Sequence, residues 1–190
     1  MENFLKALHK TLKWEGGLSD HSSDSGGVTY RGVSLRFLKA IKYDLNKDGN
    51  IDELDVKNIN DNVLLYIYKT YFWDKVKAEQ INSFIIQSHL FDIAVNSGNK
   101  QAIKLIQKAC NTFDCNLKVD GIIGNKTMTA INSIDSMLLN SSLGYERILF
   151  YNTIILKNPK YKVFEKGWMN RAKDFLFKED GDENEFIWME

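Results

Sequence analysis

The sequence has little proline and cysteine, no excess of either charge and no long apolar run. Its 190 residues include one proline and two cysteines. Lysine and arginine number 25, and so do aspartate and glutamate, which makes the formal net charge zero. A neutral chain has no bulk attraction to nucleic acid, so we expect no nucleic-acid partner.

The sequence also lacks the patterns of a membrane span, a signal peptide and a zinc site. No stretch reaches the roughly 20 apolar residues that a membrane-spanning helix needs, so we expect no membrane span. The N-terminus has no signal-peptide pattern, so we expect a chain made in the cytoplasm. The three histidines are scattered and the two cysteines, Cys110 and Cys115, form no zinc pattern. We expect these cysteines to be unpaired thiols.

Helical periodicity is present over most of the chain, which predicts a mainly α fold. Apolar residues recur at helical spacing over 2–14, 34–43, 60–71, 99–110 and 137–157. Residues 81–97 are apolar on nearly all sides, which predicts the central buried helix. We expect Gly98 to end that helix in the left-handed conformation.

The most informative stretch begins where the first predicted helix ends. Glu15 is followed by two glycines, which end a helix and let backbone approach a ligand. Beyond them lie Asp20, Asp24, Gly26, Gly27 and Thr29. A carboxyl at a rigid helix end and another on a polar loop suit two acids that hold different protonation states. Glycoside hydrolysis uses such a pair.

The run E-G-G-L-S-D-H-S-S-D-S-G-G-V-T-Y-R-G-V resembles the signature of the N-acetylmuramidases of glycoside hydrolase family 108. The resemblance implies a lysozyme-like fold that cleaves the β-1,4 bond between N-acetylmuramic acid and N-acetylglucosamine. Glu15 would be the general acid, kept protonated by apolar packing near Trp14. Asp24 would be the second carboxylate, and Thr29 would hold the attacking water. Asp20 competes with Asp24 for that role, and the backbone at Gly26 and Gly27 would approach the substrate.

A second motif covers residues 44–55 and is typical of an EF-hand calcium loop. Oxygen-bearing side chains recur at alternate positions, glycine stands at the sixth, and the twelfth is aspartate. The candidate ligands are Asp44, Asn46, Asp48, Asn50, Asp52 and Asp55. The alternative is a metal-free loop of Asx turns between two helices. Bound calcium would be structural, and no cofactor is required for the chemistry.

Three further segments supply candidate substrate contacts. Trp73 ends an aromatic run similar to one in the same family, and sugars stack on aromatic faces. Asp92 and Asn96 share one face of the predicted central helix, so they either support a neighbouring element or line the cleft. The D-G-x-x-G-x-x-T run at 120–127 looks like that of peptidoglycan-binding modules, which makes Asp120 and Gly121 candidates. A plain turn between two helices is the alternative there.

These observations predict a catalytic region over 1–96, a helical peptidoglycan-binding-like region over 97–177 and an acidic tail over 178–190. No linker composition separates the two regions, so we expect one compact body. We also expect a monomer. The expected partners are peptidoglycan glycan strands in the cell wall, reached by a holin-like or other export route. The alternative function is a non-catalytic peptidoglycan-binding or secretion-accessory protein on the same fold. A third, a calcium-responsive structural protein, depends on residues 44–55 alone.

Overall fold

The computed structural model describes residues 1–15, 18–19 and 29–176, the pair 18–19 by its backbone. Within these residues the chain is mainly helical, as the sequence predicts. Its internal contacts divide it into two units, Met1–Lys75 and Val76–Glu190, and each is described by itself. None of the described helices is both long and apolar enough to span a membrane.

The described part of the first unit combines short helices with a small sheet. Its helices are α1 (Glu2–Glu15), α2 (Leu35–Ile41), α3 (Glu53–Lys57) and α4 (Asp61–Tyr68), which continues as a π-helical turn over Lys69–Trp73. Its antiparallel strands, in the order β1-β2-β3, are β1 (Leu18–Ser19), β2 (Thr29–Tyr30) and β3 (Val33–Ser34). Ser19 lies opposite Thr29, and Tyr30 lies opposite Val33. The sequence pattern does not predict this sheet.

Local signals explain where the helices of the first unit begin. The Ser34 hydroxyl accepts a hydrogen bond from the Phe37 N–H at 3.2 Å and caps α2. The Asn60 side chain caps α4 by accepting from the Val63 N–H at 3.0 Å. The sequence predicts the Ser34 cap and offers Asn60 or Asp61 as the second cap, and the structure has Asn60 in that position. Along α1, the buried residues fall on one face at helical spacing: Phe4, Ala7, Leu8 and Thr11.

The second unit is built around one buried helix. Its helices are α5 (Phe84–Ser97), α6 (Asn99–Asn111), α7 (Asn125–Ser133), α8 (Ser136–Lys157) and α9 (Glu165–Asp174), with 3₁₀ turns at Ala78–Gln80 and Pro159–Phe164. Helix α5 is buried without interruption from Ile86 to Ala94, which confirms the predicted central helix. Gly98 follows this helix with φ 86° and ψ 149°. Its φ is positive as predicted, but its ψ lies outside the left-handed helical region, so the predicted left-handed ending is wrong. Cys110 and Cys115 are both free, as predicted.

A buried ion cluster joins three helices of this unit. The Asp92 side chain in α5 has no exposed surface. It accepts hydrogen bonds from Arg147 Nη2 in α8 at 2.6 Å and from Arg171 Nη2 in α9 at 2.8 Å. Burial by itself would raise the pKa of Asp92, but the two guanidinium groups hold it below the usual value. The cluster therefore keeps a charged carboxylate inside the unit.

Candidate functional site

Glu15 is the last residue of α1, and its half-buried side chain lies beside the turn between β2 and β3. Arg31 and Gly32 form this two-residue turn with φ angles of 46° and 84°. Positive φ at both central residues is the pattern of a type I′ hairpin turn, which suits glycine. The hairpin therefore presents a tight turn of backbone to the carboxyl of Glu15.

Helix α4 holds that turn from both of its ends. The Tyr68 hydroxyl, at the end of α4, donates to the Arg31 carbonyl at 2.8 Å. At the start of α4, Asp61 Oδ1 pairs with Arg31 Nη1 at 2.9 Å. The Asp61 side chain is 81% exposed, so this ion pair contributes little stability, whereas the hydroxyl of Tyr68 belongs to a residue that is 1% exposed. Tyr68 is thus the stronger of the two supports.

Gly32 marks the point where the carboxyl, the hydroxyl and the turn meet. A Cβ atom at this position would lie 2.7 Å from Glu15 Oε2 and would also collide with the Tyr68 hydroxyl oxygen. Both contacts are shorter than real Cβ atoms tolerate. Only glycine therefore lets the turn pack against Glu15 and Tyr68 together.

Of the other predicted catalytic residues, Thr29 lies among the described residues and the rest do not. Thr29 lies in β2, opposite Ser19 and Ser34, on the strand that leads into the Arg31–Gly32 turn. Asp20, Asp24, Gly26 and Gly27 lie outside the described residues. The structure therefore brings Glu15 and the β2–β3 hairpin into one unit. Tyr68 and Arg31 were missed by sequence reasoning.

Three residues predicted to contact substrate instead pack or hydrogen-bond within their own units. Trp73 has no exposed surface and packs edge-on against Phe4, with ring centroids 5.5 Å apart, so stacking on a sugar is excluded in this conformation. Asp92 is the fully buried centre of the ion cluster. Asn96 accepts a hydrogen bond from the Tyr151 hydroxyl at 2.7 Å. As described, Asp92 and Asn96 support the packing of α5 against neighbouring helices.

The Asp120–Gly121 turn in the second unit is organised by one buried glutamine. Gln107 in α6 donates to Asp120 Oδ1 at 3.1 Å and accepts from the Gly121 N–H at 3.0 Å. The Ile122 N–H also donates to Asp120 Oδ1 at 2.9 Å, and these two hydrogen bonds lower the pKa of Asp120. Gly121 has φ 79°, and a Cβ there would lie 2.8 Å from the Lys100 carbonyl oxygen. Glycine is therefore needed for the turn to approach α6.

A groove of about 940 Å³ opens beside this turn. Its lining includes Gln107, Asp120 and the buried Thr127, together with the exposed Lys118 and Lys126. It therefore offers hydrogen-bonding groups and two cations to a polar ligand. Of the two candidates, Asp120 lines the groove, and Gly121 shapes the turn at its edge.

The 44–55 loop is closed by its own side chains. Asp44 accepts from the Lys47 and Gly49 N–H groups at 2.7 and 2.9 Å. Asp55 is fully buried and accepts from three backbone N–H groups, at Leu45, Asn46 and Asp52. Burial raises the pKa of Asp55, but these backbone hydrogen bonds bring it below the usual value. The arrangement resembles the metal-free alternative of Asx turns.

Calcium binding by this loop stays a prediction. Among the described residues, no group of three or more His, Cys, Asp or Glu side chains is placed to hold a metal ion.

Comparison with known proteins places Glu15 and the groove beside Asp120 in two different family matches. Residues 8–98 match the family model described as Glycosyl hydrolase 108, and residues 101–173 match the model described as Predicted Peptidoglycan domain. The solved structure of SagA from Brucella abortus is similar, with 27% sequence identity and a TM-score of 0.75 over 92% of each chain. Comparison with curated proteins finds no match.

These matches define the class of protein: a glycoside hydrolase domain of lysozyme-like helical fold, followed by a peptidoglycan domain. The chain is therefore similar to glycosyl hydrolase family 108 over residues 8–98 and to the predicted peptidoglycan domain family over residues 101–173. Peptidoglycan is therefore the partner to which the chain is directed.

Proposed function

We propose that this protein is an N-acetylmuramidase that cleaves the β-1,4 bond between N-acetylmuramic acid and N-acetylglucosamine. The observation that carries the proposal is the placement of Glu15 at the end of α1, against a glycine turn that Tyr68 holds in position. A carboxyl must be fixed to protonate a leaving oxygen, because a misplacement of about 1 Å can cost a factor of about 100 in rate.

In this mechanism Glu15 donates its proton to the glycosidic oxygen as the bond to the muramic acid C1 breaks. A second carboxylate removes a proton from the attacking water, and we assign this role to Asp24, with Asp20 as the competing candidate. Thr29 holds the water by a hydrogen bond. If water attacks directly, the anomeric configuration inverts, and the two carboxyls stand about 6.5–9.5 Å apart.

The groove beside Asp120 supports a separate role in holding the wall. Its lysines and hydrogen-bonding groups suit the carboxylates and amides of peptidoglycan, and the family match covers the segments that form it. Binding at a second place raises the local concentration of substrate around the catalytic domain. This groove also supports the second candidate function, a non-catalytic peptidoglycan-binding protein.

Turbidity of a purified peptidoglycan suspension separates these candidates. We expect wild type to clear the suspension and to release reducing-end muramic acid, and we expect Glu15→Gln to do neither. Glu2→Gln is the matched control because Glu2 lies on the same helix and is exposed. Equal clearing by wild type and Glu15→Gln would assign the acid elsewhere. If neither protein clears the suspension but both sediment with it, the binding function is the correct one.

A further inference from the structure

An exposed aromatic cluster lies near the C-terminal end of the second unit. Phe164, at the end of the 3₁₀ turn Pro159–Phe164, stacks on Trp168 of α9 with ring centroids 5.8 Å apart. Tyr161 lies 6.3 Å from each of these rings. Trp168 is anchored by stacking on Tyr151 of α8 at 5.1 Å. Tyr161 and Phe164 are 42% and 50% exposed, so the outer part of the cluster faces water.

The segment that carries the cluster is also basic. Residues 156–168 include four exposed lysines, Lys157, Lys160, Lys162 and Lys166, and one acidic residue, Glu165. Within the described ranges none of the four lysines has an ion-pair partner. Leu156 and Val163 are 82% and 77% exposed. We call residues 156–168 the basic aromatic surface, and exposed apolar groups rimmed by charges mark an interaction site.

The sequence that follows α9 has the complementary composition. Residues 177–190 contain six acidic side chains and a single lysine, Lys178. Their last part is the apolar run Phe186-Ile187-Trp188-Met189. The basic aromatic surface and this tail therefore oppose each other in charge and share apolar and aromatic groups. Such complementarity favours association of the two.

The chain is long enough to make the contact within one molecule. Leu176, the last described residue, packs against Gly144 of α8. Helix α9 has ten residues and is about 15 Å long. The ten residues from 177 to 186 can span up to about 33 Å. The apolar run can therefore return along α9 to the start of that helix, where the aromatic cluster lies.

We propose that residues 177–190 bind the basic aromatic surface of the same chain. The apolar run covers the exposed rings, and the acidic residues face the four lysines. Because the tail is tethered, its effective concentration is on the order of millimolar, so a weak contact suffices. An anionic partner of this surface must then displace the tail before it binds. The proposal does not depend on the hydrolase activity.

Amide hydrogen exchange of the full chain tests this contact. We expect exchange over residues 158–168 to be about threefold or more faster in the double variant Phe186→Ala/Trp188→Ala than in wild type. Asn184→Ala is the matched control, because it leaves every acidic and apolar tail residue in place. Reciprocally, Lys160→Glu/Lys162→Glu should speed exchange over residues 180–188. High salt should weaken protection in wild type, since exposed charges are screened.

Each result bears directly on the proposal. Protection that is lost in both double variants, retained in Asn184→Ala and independent of protein concentration supports tail binding in the same chain. Equal exchange in wild type and both double variants overturns it. Protection that falls on dilution, together with a dimer in light scattering, assigns the surface to a second copy and also overturns it. Protection that requires added anionic vesicles or anionic wall polymer overturns it in favour of that partner.

Discussion

Gly32 shows how much of the candidate active site depends on a single missing side chain. Its positive φ favours glycine by itself, and so does that of Gly49. The two glycines differ in their surroundings. A Cβ at Gly32 would collide with Glu15 and Tyr68, whereas a Cβ at Gly49 would meet nothing within 4 Å. An alanine at Gly49 therefore tests backbone strain alone, whereas an alanine at Gly32 tests backbone strain together with displacement of Glu15 and Tyr68.

We therefore expect Gly32→Ala to reduce the rate of peptidoglycan clearing by about 100-fold or more, because the Glu15 carboxyl must move. Gly49→Ala should keep the activity. Both variants should lose about 1–2 kcal/mol of unfolding free energy from left-handed backbone strain. Clearing assays beside denaturant unfolding measure the two effects. Comparable activity in the two alanine variants would contradict the assigned role of Gly32.

The two cysteines give a second test at the scale of single side chains. Cys110 is fully buried in α6, and burial raises the pKa of its thiol to about 12. Cys115 is half-buried. Since the thiolate is the reactive form, we expect a thiol reagent to label only Cys115 in the native protein. Mass spectrometry should find one label at pH 8 and two in denaturant. Rapid native labelling of Cys110 would show that α6 opens readily.

At the scale of elements, Asp92 decides how α5, α8 and α9 are held together. It is a single carboxylate between two arginines, and Arg147 and Arg171 are 0% and 6% exposed. Arg147 Nη1 is buried without a hydrogen-bond partner among the described residues. Removing Asp92 leaves two buried cations without their counter-charge, which is far more costly than losing a surface pair.

We expect Asp92→Asn to lower the unfolding free energy by about 3–5 kcal/mol. Glu53→Gln, which breaks the exposed pair with Lys57, should cost at most about 1 kcal/mol. Urea unfolding of the three proteins measures both values. A loss below about 1 kcal/mol in Asp92→Asn would contradict the structural role of the cluster.

The same cluster predicts an acid dependence. Because the folded pKa of Asp92 is lowered, its contribution is complete above its unfolded pKa of about 3.9 and is lost as pH falls through the folded value. The unfolding free energy of wild type should therefore fall more steeply below about pH 4 than that of Asp92→Asn. Parallel curves in that window would show that the carboxylate gains no charge stabilisation on folding.

The loop over residues 44–55 gives a prediction for a single element. Asp55→Ala should lower the unfolding free energy by about 2–3 kcal/mol in EDTA as well as in calcium, because it removes the acceptor of three backbone N–H groups. Calorimetry with Ca²⁺ tests the sequence-based site separately, since binding should give heat with wild type and less with Asp48→Ala. No heat from either protein would end the calcium hypothesis.

At the scale of the whole molecule, sequence reasoning succeeds where the signal is local. Ser34 and Asn60 are residue types that commonly cap helices, and the apolar run over 81–97 predicts a buried helix. The sheet escapes prediction because strands of two residues have no period to detect. Trp73 and Phe72 are both aromatic neighbours, yet Trp73 is fully buried and Phe72 is half-buried, since consecutive residues of a helix point in different directions.

Long-range partners are the other limit of sequence reasoning. Asp92 meets Arg147 and Arg171 across 55 and 79 residues, and no local pattern marks those arginines as its partners. Glu15 was identified because family resemblance records it. Tyr68 was not identified, because its role depends on a hydrogen bond to the Arg31 carbonyl, which comes near only in the folded chain. The family signature therefore marks Glu15, and the fold is needed to find the residues that position its carboxyl.

The hydrogen bond from Tyr68 to Arg31 also has a consequence during synthesis. It joins residues 37 positions apart, so the turn beside Glu15 is held only after α4 has formed and packed. A nascent chain that ends before α4 carries Glu15 and the hairpin sequence but lacks Tyr68, which holds the hairpin turn in place. Closing such a distant contact is slower than forming a local helix. The candidate active site therefore gains its geometry only after α4 has been synthesised and packed, so an unfinished chain lacks that geometry.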